Sequence, residues 1–311
     1  MQKATFSKKE MLFYNRGCDV FHLDHASNRT DFSDLAPNSI ISSCFTAYES
    51  QIHPTTGLGV KYVSEGKETY WLKGKKSEVT AGKYLLINES EPRLDVKIKC
   101  AETWGMCANI EPAVLNDLIF QVLFPNKLDE MNQVQQYLLS PELLVRQATA
   151  SDELQQFLNR LIGFVGTHPN ENPPIELIYE LASLLVRENL PLIGSYYKLG
   201  ASKRTTRQEL FQRLLQGKEM LDDSVFSEVN IGQVADECCL SEFRFFRLFK
   251  QCFEVSPYQY LFRRRIEKSL ELKKQNLSWG EIAYQLNFTD LAAFSKGFKK
   301  ITGVSPSQYV F

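Results

Sequence analysis

The residues with the most chemistry to offer lie in SEFRFFRLFKQCF, from Ser241 to Phe253. Phe245, Leu248 and Phe249 recur at spacings of 3 and 4 and define the inner face of a helix. The outer face then carries Glu242, Phe243, Arg244, Phe246 and Arg247. A solvated face seldom shows Phe beside Arg. A DNA major groove offers thymine methyls to the one and guanine edges to the other. A second stretch, DLAAFSKGFKKI, repeats the plan: Phe294, Phe298 and Ile301 face inward and Leu291, Ala292, Ser295 and Lys296 outward. Its small apolar face permits close approach and methyl contacts, with weaker discrimination between bases, so the first stretch is expected to carry most of the sequence specificity. The candidate base contacts are therefore Phe243, Arg244, Phe246, Arg247, Leu291, Ala292, Ser295 and Lys296. Ser241, Lys250, Lys299 and Lys300 are the candidate phosphate contacts.

Both stretches belong to one duplicated element. Phe245, Phe249-Lys250, Ser256-Pro257 and Tyr260 recur 49 residues later as Phe294, Phe298-Lys299, Ser305-Pro306 and Tyr309, and Arg247 recurs as Lys296. Val234-Ala235 recurs as Ile282-Ala283 at an offset of 48, one residue short, as an insertion in a turn produces. Such a repeat means one supersecondary unit used twice. Each copy reads helix, short turn, helix, at about 231–253 and 279–301. Ser241 caps the outer helix of the first copy, and Thr289 or Asp290 that of the second. Between them Pro257 opens a helix of about 18 residues, roughly 27 Å at 1.5 Å per residue. A rod of that length can hold two recognition helices about one DNA turn apart, near 34 Å. Of Arg263, Arg264 and Arg265 on this rod, at least one must turn inward or pair with an acid, because consecutive residues fan out around a helix.

On these residues the segment from about 205 to 311 resembles the DNA-binding domain of the AraC/XylS transcription regulators, with the phrases FRFFRLFKQCFEVSPYQYLFRRRI and IAYQLNFTDLAAFSKGFKKITGVSPSQY. The pattern departs from the family at Glu254, where a glycine is usual, although Gly303 keeps it in the second copy. Asn287 replaces the glycine of the second turn and tolerates left-handed backbone; Cys239, its counterpart in the first turn, tolerates it poorly. The resemblance implies an N-terminal cupin-like barrel that binds a small effector, and helices that often pair two chains.

The first ~110 residues agree with that expectation. Short β-branched and aromatic runs broken by Gly, Asn and Ser suggest a small barrel or sandwich. Helices follow at Glu111-Pro112, at 151–166 and at 174–189. Ile175, Ile178, Leu181, Ala182 and Leu185 form an apolar stripe that suits either packing on the barrel or a dimer seam. PLIGSYYKLGASKRTT, about 190–205, is aperiodic and marks a linker. The expected fold class is α+β: a cupin-like effector-binding and dimerisation domain at 1–190, a linker at 191–204 and an all-α domain with two helix-turn-helix units at 205–311.

Composition bounds the rest. With 43% hydrophobic and 23% charged residues, the 311-residue chain is an ordinary globular protein. It shows no secretory leader and no apolar run near 18 residues, so a cytoplasmic location and no membrane partner are expected. From 204 onward there are 16 Lys and Arg against 13 Asp and Glu, and before it 20 against 24, a modest asymmetry that permits nucleic-acid binding without establishing it. Seven cysteines without repeated spacing give no disulfide framework, and the adjacent Cys238 and Cys239 suit helix-end packing or, less readily, a redox switch. His22, His25, His53 and His168 are too sparse for a cupin metal site, no nucleophile or phosphate loop stands out, and no catalytic residue, metal or cofactor is expected. Tyr62, Tyr70, Trp71, Tyr84 and Trp104 either form the barrel core or line a pocket, and the effector is unknown. The expected partners are double-stranded DNA, a small-molecule effector, a second copy of the chain in a homodimer, and RNA polymerase if the protein activates. The rival readings are a cupin-type enzyme fused to a DNA-binding domain and a ligand-independent DNA-binding protein.

Overall fold

The structure, a computed structural model, describes residues 18–23, 37–52, 57–72, 75–87, 94–99, 102–120, 128–138, 146–168, 171, 173–200 and 203–309. Two compact units divide the chain, Met1–Ile193 and Gly194–Phe311.

Two sheets build the first unit. The larger runs in the order β1 (Asp19–Leu23), β2 (Ser39–Phe45), β9 (Thr103–Ile110), β4 (Leu58–Glu65), β7 (Lys83–Ile87) and β10 (Arg146–Thr149). The smaller runs β3 (Tyr48–Ile52), β8 (Leu94–Ile98), β5 (Lys67–Leu72) and β6 (Lys75–Thr80). Every pairing is antiparallel except β1 with β2. In β8 the residues Leu94, Val96 and Ile98 are buried and Asp95 and Lys97 are not, the alternation of a strand with one covered face. Central β4 is buried at six successive positions, because one face looks into the barrel and the other is covered by helices. Val63, Leu85 and Ile87 from one sheet and Tyr70, Val79, Leu94 and Val96 from the other share one core.

Helices α1 (Pro112–Leu118), α2 (Leu128–Leu138), α3 (Asp152–Thr167) and α4 (Ile175–Lys198) follow the strands. Pro112 opens α1, where its missing N–H costs nothing. The Ser151 hydroxyl accepts from the Leu154 N–H at 3.2 Å and starts α3 as expected. Helix α2 was not anticipated from the sequence, although Met131, Val134 and Leu138 recur at spacings of 3 and 4 and are buried; nor was the four-residue strand β10. The stripe Ile175, Ile178, Leu181, Ala182 and Leu185 is buried by its own chain, so a dimer seam would need other residues.

Residues 191–198, expected as linker, are helical: α4 runs on past Pro191. Leu192, Ile193 and Tyr196 are buried, and their burial outweighs the backbone hydrogen bond that Pro191 removes. Within the second unit the Tyr196 ring meets Phe211 edge-on at 5.3 Å, and Gln251 Nε2 donates to the Lys198 carbonyl oxygen at 2.8 Å.

The second unit is all helix: α5 (Arg204–Asp223), α6 (Ile231–Glu237), α7 (Glu242–Phe253), α8 (Pro257–Lys274), α9 (Trp279–Gln285), α10 (Leu291–Thr302) and a closing 3-10 turn at Pro306–Gln308. Phe211, Phe245, Phe249, Phe294 and Phe298 are fully buried. Each contributes roughly 2–3 kcal/mol of apolar burial.

A candidate DNA interface and a barrel cavity

The duplication seen in the sequence holds in the side-chain geometry. Phe249 meets Tyr260 edge-on at 5.7 Å, and Phe298 meets Tyr309 edge-on at 5.4 Å. Phe245 lies 5.4 Å from Phe249 and Phe294 lies 5.6 Å from Phe298, at interplanar angles of 51° and 52°. The caps correspond too. Asn230 and Ser278 cap α6 and α9, and Ser241 and Asp290 cap α7 and α10. Asp290, not Thr289, closes the second turn, accepting from the Ala293 N–H at 2.6 Å.

Each helix-turn-helix makes its bend with one left-handed residue, Cys239 at φ 53° and Asn287 at φ 57°. In the first bend the N–H groups of Cys239 and Leu240 donate to the carbonyl oxygens of Asp236 and Ala235 at 2.8 and 2.9 Å. In the second, those of Asn287 and Phe288 donate to Tyr284 and Ala283, both at 3.0 Å. Cys239 thus takes the backbone its side chain disfavours. Glu254 does the same at the end of α7, at φ 64°, where Gly303 stands in the second copy at φ 83°.

These caps and bends aim the outer faces of α7 and α10 at solvent. Phe243 is 79% exposed, Phe246 36% and Leu291 48%. Arg244, Arg247, Ala292 and Lys296 are exposed and Ser295 is half-buried. Lys250, Lys299 and Lys300 are exposed in the last turns of the two helices. The Ser241 hydroxyl, a candidate phosphate contact, is engaged as a cap, accepting from the Arg244 N–H at 3.4 Å. Ile301, expected inward, is 39% exposed, because the last turn of α10 runs past the core that buries Phe294 and Phe298.

The arginines divide by task. Arg264 pairs with Asp222 at 2.7 Å and with Glu267. Arg265 Nε donates to the Val225 carbonyl oxygen at 3.1 Å, Nη2 to Ser227 at 2.6 Å and Nη1 to Asn287 at 3.3 Å. Two of the rod's three arginines are therefore internal ties, and Arg263 alone of the three is exposed without such a bond among the described residues. No carboxylate lies within ion-pair reach of Arg244, Arg247, Lys250, Lys296, Lys299 or Lys300 among the described residues. Tyr284 went unnoticed in the sequence. It is 86% exposed on α9 at the position equivalent to Asp236, and only the register of the repeat could have flagged it.

Cys238 is buried, and burial first, then Cys239 and Glu237, push its thiol up to about 11. That is the opposite of a reactive thiolate.

A cavity opens inside the barrel, with about 460 Å³ of space, part of it open to solvent. Leu23, Ile41, Phe45, Val96, Ile98 and Met106 form its apolar wall. Its polar members are Ser43, Tyr48, Lys61, Glu68, Tyr70 and Cys107. Tyr70 donates its hydroxyl hydrogen to Glu68 Oε2, and Ser43 donates to Oε1 at 3.5 Å. Burial raises the Glu68 carboxyl, opposed by Tyr70, Lys61 and Ser43. Of the five aromatics singled out in the sequence, Tyr70 lines this cavity. Tyr62 and Tyr84 are core residues whose hydroxyls reach Asn159 Oδ1 on α3 at 2.9 Å and Glu188 Oε2 on α4 at 3.0 Å. Trp71 and Trp104 are half-buried and away from the cavity wall.

His22 Nδ1 and Ser42 Oγ share a hydrogen bond of 2.8 Å, and His168 stacks on Phe164 at 4.9 Å. His25 and His53 lie outside the described residues. Among the described residues no three His, Cys, Asp or Glu side chains gather as metal ligands, and no helix is long and apolar enough to cross a membrane.

A helix-turn-helix domain family matches residues 234–310. The Msm operon regulatory protein of Streptococcus mutans is 28% identical over 144 residues, 46% of this chain and 49% of that protein. The arabinose operon regulatory protein of Escherichia coli is 33% identical over 84 residues, 27% of this chain and 29% of that protein. The chain thus spans from under a third to about half the length of these relatives, which are named as regulators. Among solved structures, ToxT from Vibrio cholerae aligns over 87% of this chain and 97% of its own at 13% identity, with a TM-score of 0.35. The C-terminal region carries a helix-turn-helix domain, present twice in its side-chain geometry, and is similar to regions of proteins named as operon regulators.

Proposed function

We propose that this chain is a sequence-specific, DNA-binding transcription regulator whose N-terminal barrel binds a small effector. The observation that carries the proposal is the exposed face of α7, where Phe243 and Phe246 stand beside Arg244 and Arg247, with no carboxylate within ion-pair reach of either guanidinium among the described residues. A neighbouring acid would have neutralised those guanidiniums, as half-buried Asp222 does for Arg264. In this reading α7 and α10 enter two successive major grooves. Arg244 and Arg247 bond guanine edges, Phe243, Phe246, Leu291 and Ala292 press on thymine methyls, and Ser295 and Lys296 add polar contacts. Ser241, Lys250, Lys299 and Lys300 hold phosphates, through a hydroxyl in the first case and ammonium groups in the others. The rod α8 spaces the two readers, its 18 residues rising about 27 Å. Double-stranded DNA is the partner and the cytoplasm the compartment; a homodimer, and RNA polymerase in the case of activation, complete the expected assembly. The chain is read as a non-enzyme, in line with relatives named as regulators.

Selection of bound sequences from a random duplex library, at controlled salt, tests this. Two enriched blocks about one helical turn apart are the expected result. Binding without any enriched sequence, with or without small molecules from a cell extract, overturns specific readout and leaves a non-specific DNA-binding protein.

A further inference from the structure

Two nucleophiles meet inside the barrel. Lys61 on β4 and Cys107 on β9 are direct register partners in the larger sheet, and both side chains line the cavity. Residues opposed in this way on one face of a sheet lie close enough to interact. Here the Lys61 nitrogen donates to the Cys107 sulfur. Lys61 is 4% exposed, and its packing holds it there. Glu68 places a carboxylate in the same cavity, where it receives hydrogen bonds from Tyr70 and Ser43 and its charge opposes that of Lys61. Cys18, Cys238 and Cys252 are buried, the setting of inert structural thiols. Cys107 is only half-buried, with the Asn109 Oδ1 atom 3.8 Å from its sulfur, and the cavity it faces is partly open to solvent. A small oxidant can therefore reach it.

A cysteine oxidised to sulfenic acid becomes an electrophile and condenses with the thiol or nitrogen beside it. Among the described residues no second cysteine lines the cavity, whereas an amine touches the sulfur. We propose that Cys107 and Lys61 form a peroxide-sensing pair that closes into a reversible sulfur–nitrogen bridge between β4 and β9. In the first step the Cys107 sulfur attacks hydrogen peroxide. The O–O bond breaks, an S–O bond forms, and the second oxygen leaves as water. In the next step the Lys61 ammonium passes a proton to Glu68, and the freed amine attacks the sulfur. The S–O bond breaks as an S–N bond forms, and the departing hydroxide takes a further proton from the nitrogen and leaves as water. The sulfur is oxidised, and one peroxide is reduced to two waters. Burial raises the Glu68 carboxyl, which suits it to hold the proton it receives. The two charges then vanish together, so that neither is left buried alone. Excess thiol reverses the bridge, restoring both side chains as the thiol becomes a disulfide. The pair needs neither an effector nor DNA and stands apart from the regulatory role.

Peptide mass spectrometry on the full-length chain tests this. The protein is exposed to hydrogen peroxide, unfolded, alkylated at its free thiols and cut at glutamates. The expected product is a peptide joining Lys61 to Cys107, lighter by two hydrogens than its parts, with a matching loss of alkylated Cys107. Dithiothreitol before alkylation should restore both. Lys61→Met, which keeps the apolar stem, should abolish the link and leave Cys107 to be oxidised further to sulfinic acid. Cys107 recovered fully alkylated after peroxide, or oxidised in the unmutated chain without a bond to Lys61, overturns the proposal, and neither result depends on how a variant folds. Protein unfolded before exposure should give no link, because the fold alone brings the two residues together. A link formed equally well in that sample would sink the idea of a built site.

Discussion

The Arg265 guanidinium on α8 donates to the backbone carbonyl of Asn287, the left-handed residue of the second helix-turn-helix bend, at 3.3 Å. Its other nitrogens hold Val225 and Ser227, in the segment that leads into α6 of the first helix-turn-helix. One side chain therefore ties the approach to one reader to the bend of the other. Arg265→Ala strips a donor from three carbonyls and should cost about 2–3 kcal/mol of stability by analogy with other charge-assisted bonds. Arg265→Lys should recover only part, because an ammonium cannot reproduce the fork. Chemical denaturation measures the loss, and binding to two-block DNA should fall more than binding to a single block.

Cys239 and Glu254 occupy left-handed backbone that costs a side-chain-bearing residue about 1–2 kcal/mol. Replacing either with Gly should raise stability by up to about 1 kcal/mol, part of the gain being offset by the freer unfolded chain. The exposed Glu254–Lys198 pair lost in the second case is worth little. Thermal unfolding of the single and double variants reads this directly, and a fall in midpoint for both would contradict it.

Glycines in helices separate by what surrounds them. A Cβ on Gly297 would come within 2.1 Å of the Phe262 ring, so Gly297→Ala should destabilise by about 1–3 kcal/mol. Phe262→Leu in the same chain should restore part of it. Gly163 on α3 has nothing within 4 Å of its added Cβ, and Gly163→Ala should stabilise by about 0.5–1 kcal/mol. Denaturation midpoints of the three variants order these effects.

On DNA, Arg247→Ala should cost about 1–3 kcal/mol on a selected site and little on random sequence, if the guanidinium is bidentate to guanine. Lys300→Ala should weaken both alike and reduce the salt dependence by about one phosphate contact. Titrations at several salt concentrations on both duplexes distinguish them. An equal loss for Arg247→Ala on every sequence would make it a phosphate contact instead.

The duplicated helix-turn-helix was legible because its signals are local. Apolar spacing of 3 and 4, cap residues at fixed offsets and Ser-Pro helix starts act within a few residues of where they are written, and α6 to α10 follow them closely. Those signals were silent where distant burial decided the outcome. Pro191, Gly194 and Ser195 read as breakers, yet α4 continues because Tyr196 finds Phe211 and Gln251 finds the end of the helix. Arg264 and Arg265 look alike in sequence, and only packing against Asp222 in one case and three carbonyls in the other assigns them.

By itself, then, the order of residues determined the repeat, the strand-then-helix plan and the outward faces of α7 and α10, because periodicity and capping are properties of neighbours along the chain. Which cations are left free and which are spent as ties, and the burial of the 175–185 stripe within its own chain, were decided by tertiary structure alone. Charge pairing and desolvation depend on what lies within a few ångströms in space, and residues far apart in sequence supply it.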